Sequence, residues 1–193
     1  MRERERCVES ACVVVIILLL SGCAASVNTV GQSLQEQGVQ AGRDRERIEL
    51  DVTTYLGDDQ IFQEGDVIYY LVSMDRDAYL MFIHQDAENN LIKLYPNAAF
   101  GQAFHRAGHY FQVPDPARDG TLVISPPFGA ETLWAFAASE PFPELTGQAV
   151  DSGLFVLEES INSIRERLYR YAVSVGSAYG EANVYLRTTP GSP

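Results

Sequence analysis

His105 and His109 stand four residues apart, with His84 upstream and Asp115 downstream, and this group holds nitrogen and oxygen donors of the kind zinc takes. Four-residue spacing would set two imidazoles on one helix face. Gly108 lies between them, however, and the flanking residues carry no helical period, so local geometry does not converge the ligands. No zincin pattern with a bracketing glutamate surrounds them either. The reading is therefore no metal and no cofactor, with His84, His105 and His109 as weak candidates. Paired carboxylates, Asp75 with Asp77 and Glu158 with Glu159, are suited to acid–base work or calcium. Acids so placed in turns and at helix starts more often cap or sit in solvent. There is no Gly-x-Ser-x-Gly elbow, no phosphate-cradling glycine loop and no cysteine nucleophile, which argues against the familiar hydrolase and nucleotide-binding schemes.

Cys23 offers a different chemistry. The apolar run from Ala11 to Leu20 has the size of a signal h-region, and Leu20-Ser21-Gly22-Cys23 follows it. A peptidase that cuts before a diacylated cysteine requires that arrangement of small residues after an apolar stretch, and the segment resembles the bacterial lipobox. In the n-region Arg2, Arg4 and Arg6 are balanced by Glu3, Glu5 and Glu9, a departure from the usual basic excess. We expect residues 1–22 to be a lipoprotein signal peptide and Cys23 to be the lipidation site. The alternative is an uncleaved or ordinary secretory signal with a coincidental cysteine. Cys7 and Cys12 fall in the leader, so a lipidated Cys23 leaves no disulfide, and the mature chain must rest on its own core.

The chain has 193 residues, 46% hydrophobic and 21% charged, values ordinary for a globular protein. Its net charge of -12 belongs wholly to the part after the leader, where the arginines and glutamates cancel. Lys93 is the only lysine, so nucleic acid is excluded as an expected partner, and so is a polybasic grip on anionic lipid. Membrane contact should come through the lipid on Cys23 alone. Ala24 after the cysteine, rather than Asp, points to the outer membrane, facing the periplasm.

The elements follow from hydrophobic period. Residues 23–45 are small and polar, with four glutamines among three glycines from position 31 to 42, and read as a flexible tether. About 20 extended residues would reach roughly 60 to 70 Å. A short helix around Leu34 is the alternative. From 46 to 189 we expect a single β-rich domain. Ile48, Leu50 and Val52 alternate with polar residues, and the runs 66–74 and 79–84 are rich in β-branched and aromatic side chains. Asp75-Arg76-Asp77 between those two runs predicts a hairpin with paired strands. Further strands are expected at 91–95, 108–113, 121–125, 131–138 and 182–186, with a loop at 98–107. Leu157 to Ala172 alone carries helical period, through Ile161, Ile164, Leu168 and Tyr171, with Arg165, Arg167 and Arg170 on the other face.

Three phrases in the middle region resemble a widespread bacterial family, the domain-of-unknown-function 4384 family, found in envelope lipoproteins and beside kinase-like or protease-like domains. They are Phe62-Gln63-Glu64-Gly65-Asp66; Asp77-Ala78-Tyr79-Leu80 leading to Leu94-Tyr95-Pro96-Asn97; and Pro127-Phe128-Gly129-Ala130-Glu131 leading to Trp134 through Ser139. Their order and spacing carry the resemblance over about Leu56 to Ser139. Between Gln85 and Asn90, where the family has a tight acidic-glycine turn, this sequence has no glycine. The resemblance implies a β-rich accessory domain and assigns no catalytic residue.

The fold class expected is mainly β: an antiparallel β-sandwich-like domain of about seven or eight strands with one C-terminal amphipathic helix. Its function is read as a non-enzymatic binding or assembly module of the cell envelope with a protein partner. Outward-facing aromatics, Tyr70 and Tyr95 above all, with Phe104 and Trp134, are the candidate interface. The competing readings are a metal-binding protein or hydrolase using His84, His105 and His109, and a small-ligand or glycan sensor using the 98–107 loop.

Overall fold

The computed structural model describes residues 46–57, 60–96, 104–115, 120–150 and 154–191. The leader, Cys23, the tether and most of the 98–107 loop lie outside the described residues. Two strands form the centre, β5 (Ala78–Gln85) and β10 (Ala130–Ala138), paired antiparallel with Leu133 opposite His84 and Phe136 opposite Met81. Both read as nearly continuous apolar runs because both faces of this part of the sheet are covered, so neither face demands polar residues.

The large sheet runs β11 (Gly147–Ala149), β12 (Phe155–Leu157), β6 (Leu91–Tyr95), β5, β10, β13 (Tyr179–Thr189) and β2 (Ile61–Gln63), with β7 (Phe104–His105) added beside β5. All its pairs are antiparallel except β13 with β2. A second sheet of β1 (Leu50–Thr54), β4 (Tyr70–Met74) and β8 (Phe111–Val113) lies against one face, and β3 (Val67–Ile68) pairs with β9 (Leu122–Val123) apart from both. Leu80, Phe82, Leu133, Ala135, Val184 and Leu186 from the large sheet pack with Val52, Tyr70, Val72 and Met74 from the small one. The opposite face, with Met81, Ile83 and Phe136, packs under helix α1 (Ile161–Val175). The protein is mainly β and sandwich-like with a C-terminal amphipathic helix, as its alternations imply.

Helix α1 begins where Ser160 accepts a hydrogen bond from the Ser163 amide and ends at Gly176, whose φ of 68° closes the helix with bonds to Ala172 and Val173 carbonyls. Ile164, Leu168 and Ala172, one turn apart, are its buried row. Two details correct the sequence reading. The helix starts after Leu157, which belongs to β12. Arg165 turns back over the Trp134 ring at 4.9 Å and pairs with Glu181 instead of facing away.

The hairpin expected at Asp75-Arg76-Asp77 is not one. β4 pairs with β1 and β8, while β5 pairs with β6, β7 and β10, so these three residues carry the chain from one sheet to the other. Burial explains the choice: Tyr70, Val72 and Met74 meet Leu80 and Phe82 face to face, and side-by-side pairing would leave those inner faces uncovered. Acids at the crossing tie it down, since Asp75 accepts the Glu49 amide at 2.9 Å and Asp77 the Ala107 amide at 2.8 Å. The run 66–74 likewise divides at Tyr69, which stacks on Tyr55 at 4.3 Å while β3 joins β9. With β2, β7, β11 and β12 also unforeseen, β7 inside the segment expected to be a loop, thirteen strands, most of them short, are described where seven or eight were expected.

The missing turn glycine has a substitute. Asn89 takes the left-handed conformation with φ 68°, and Asp86 accepts the Glu88 and Asn90 amides at 2.9 and 2.8 Å, closing β5 onto β6.

Candidate functional site

Position 84 of β5 faces the interior between the sheets, two residues beyond Phe82, and Leu133 of β10 lies opposite it. Glu131, two residues before Leu133, shares that face, and Leu186 of β13 stands across from it, with Thr188 next along the same face. The result is a polar row across three strands. His84 Nε2 lies 2.9 Å from Glu131 Oε2, and the Thr188 hydroxyl donates to the other carboxylate oxygen. Thr188 also accepts the Gly129 amide at 3.0 Å, which anchors the entry to β10. Glu131 is buried, so it depends on these two partners to replace water.

The row borders a cavity of about 160 Å³. Its walls include Ile68, Ile92, Leu94, Ile124 and Leu154, and its polar end is formed by Tyr70, His84, Glu131 and Asp86. Asp86 is occupied by its own turn, taking the Asn90 side-chain amide at 2.7 Å as well as the two backbone donors. Burial first, and then the charge of Glu131, push the Tyr70 phenol well above its ordinary range, so it stays protonated at any physiological pH.

The three histidines do not meet. His105 lies on β7 opposite Ala78, six positions before His84 along β5, which at about 3.3 Å per residue places the two roughly 20 Å apart. Its ring stacks on Phe111 at 4.4 Å and its Nε2 is 2.6 Å from the Tyr95 hydroxyl. His109 is exposed in the connection to β8. Among the described residues no group of three or more His, Cys, Asp or Glu side chains is placed to hold a metal ion.

Of the aromatics expected to face outward, Tyr70 and Tyr95 are only 2% and 5% exposed and belong to the core between the sheets. Alternation put them there: Tyr70 shares its face with Val72 and Met74, and Tyr95 lies opposite Phe82. Phe104 is exposed at the edge of β5, edge-on to Tyr79. Trp134 is half-buried, its indole N–H donating to Gln85 at 3.2 Å beneath Arg165. Sequence reasoning missed Glu131 and Thr188. The available signal was an acid in register with Leu133, Ala135 and Ala137, all inward residues of one strand.

A second concavity, about 1020 Å³ and open to solvent, runs between the small sheet and the C-terminal half of α1. Tyr110, Tyr169 and Val173 stand exposed along it. Glu46, Glu49, Asp51, Asp75 and Glu181 line it, against one guanidinium, Arg47. Tyr110 is held in place by its hydroxyl, which donates to Asp51 at 3.0 Å, and Tyr169 meets Tyr179 edge-on.

The central part of this architecture resembles a known family. Residues 61–141 match the family described as a domain of unknown function, DUF4384. The DUF4384-like segment runs from β2 through β10 and contains all three phrases that suggested it, together with His84, Glu131 and Tyr70. Strand β1, helix α1 and β13 lie outside the matched stretch. No curated protein and no solved structure matches the chain.

Proposed function

We propose that this chain is a bacterial envelope lipoprotein, held at the outer membrane by lipid on Cys23, whose β-domain is a non-enzymatic binding module for a protein partner. The observation that carries the binding role is the open groove, where exposed Tyr110 and Tyr169 lie among five carboxylates and one arginine. Aromatic surfaces that are rigidly held give contact area at little entropic cost, and an excess of carboxylates selects a basic partner and speeds its encounter. The occupant that fits is an extended, lysine- or arginine-bearing segment of another envelope protein. Cys23 and its upstream apolar run support the anchor, and Glu46 and Arg47, which follow the expected tether in sequence, are part of the groove lining. Among the described residues no helix is long and apolar enough to cross a membrane.

The test is site-specific photo-crosslinking in cells. A crosslinker at Tyr169 is expected to capture one abundant partner that a crosslinker at Gln148, exposed on the far edge strand β11, does not. Capture should fall with Glu49→Lys and with the anchor-free variant Cys23→Ser. Equal capture from both positions, or capture indifferent to Glu49→Lys, overturns the groove as the docking surface.

A further inference from the structure

The cavity beside His84 and Glu131 shares no lining residue with the groove, so its role stands or falls independently of partner docking. Its size is specific. About 160 Å³ is close to the volume of apolar protein cavities that take up benzene, so it suits a molecule of about six to eight heavy atoms. Most of its wall is hydrocarbon, from Ile68, Ile92, Leu94, Ile124 and Leu154.

The polar end sets the chemistry. Tyr70 is 98% removed from solvent, yet its hydroxyl has no hydrogen-bond partner among the described residues. That hydroxyl opens onto the cavity, where a bound molecule can supply the missing partner. Glu131 and Asp86 add two carboxylates, and among the described residues no lysine or arginine lines the cavity. His84 already directs Nε2 at Glu131, and its Nδ1 has no partner among the described residues. An anionic ligand would meet two carboxylates there. An ammonium group would donate to the Tyr70 oxygen and to His84 Nδ1 beside the carboxylates, charge-assisted bonds that a neutral ligand of the same shape would not make.

We propose that the cavity bounded by Tyr70, His84 and Glu131 is a binding site for a small primary amine with a compact hydrocarbon body. The ammonium head lies at the Tyr70 end and the hydrocarbon against Ile68, Ile124 and Leu154. Entry is across the exposed lip formed by Val123, Ser125 and Pro126.

The experiment is calorimetric titration of the full chain in detergent with benzylamine, benzyl alcohol and benzoate, three probes of one shape and different charge. Benzylamine is expected to bind with one-to-one stoichiometry and about tenfold tighter than benzyl alcohol, reflecting the charge-assisted bonds, and benzoate not to bind. Tyr70→Phe, which keeps the ring, should weaken benzylamine severalfold, and Leu122→Trp, which fills the cavity from its partly exposed edge, should abolish binding. Absence of benzylamine binding, equal affinity for benzyl alcohol, or binding indifferent to both substitutions overturns the assignment. Circular dichroism of each variant separates lost binding from lost fold, and Tyr70→Phe provides the test if Leu122→Trp does not fold.

Discussion

The imidazole of His84 and the carboxylate of Glu131 meet at 2.9 Å from neighbouring strands, in an interior face made mostly of Leu, Phe, Val and Ala. A pair in such a setting is stabilised by its mutual contact but has already lost its hydration, so its two halves are unequal to one half alone. Glu131→Ala, which leaves His84 and the Thr188 hydroxyl without their acceptor, is expected to cost about 2 to 4 kcal/mol by urea denaturation. The double variant His84→Leu with Glu131→Leu should recover most of that loss. A double variant less stable than the single one would show the pair to be a net stabiliser.

Alkaline pH provides a second measurement. Burial raises the Tyr70 phenol, and burial with the charge of Glu181 and a hydrogen bond to it raises Tyr179, so both stay protonated in the folded chain while the unfolded chain ionises near the ordinary value of about 10. Their contribution is complete below that value and is lost as pH climbs above it. Lys93, lowered by burial, works in the opposite sense, since the fold gains as it gives up its proton. It is one partly exposed group against two phenols. Thermal midpoints should therefore fall between about pH 10 and 11, and Tyr70→Phe should make that fall shallower.

The turn at Asn89 tests the substitute for glycine. Asn89→Gly should leave stability within about 0.5 kcal/mol of the parent, trading the side-chain bond from Gln85 for an easier left-handed backbone. Asn89→Val, which has neither, should lose about 1 to 2 kcal/mol. Chemical denaturation midpoints separate the two. Equal effects would mean that the positive φ is not limiting.

For the helix, Leu168→Ala removes a side chain that is fully buried against the large sheet and should cost about 2 to 5 kcal/mol. Ser160→Ala removes only the cap and should cost about 1 kcal/mol. Gly180→Ala belongs to a different class, because a methyl there would run into the carbonyl oxygen of Ile48 where the chain before β1 crosses β13. A loss of about 1 to 3 kcal/mol is expected, with Ile48 forced outward.

Period alone carried the β-rich class, the helix and the long strands: Leu133 to Ala138 and Tyr79 to His84 are apolar enough to mark central strands, and Ile164, Leu168 and Ala172 mark one helical face. Pairing was not legible. Asp75-Arg76-Asp77 has the composition of a hairpin turn, and only the need to cover Leu80 and Phe82 makes it a crossing between sheets. Short strands such as Ile61–Gln63 and Phe155–Leu157 have no period of their own and are made by the neighbours they join. Tyr70 was picked out as an aromatic able to reach outward, though its alternation with Val72 and Met74 already pointed in. His84 was visible as a histidine after an apolar run. Its partnership with Glu131 and Thr188 needed three strands in register, which no local pattern contains.

Strand β13 fills the seam between β10 and β2, yet it follows every other described strand in the chain and lies beyond the stretch matched to DUF4384. Until it arrives, β10 presents nine residues of open backbone, and Glu131 has no threonine to bind. The outer edge of β10 and the surroundings of the buried Glu131 are therefore completed by a segment distant in sequence from the DUF4384-like stretch, so a variant that loses β13 should expose both at once.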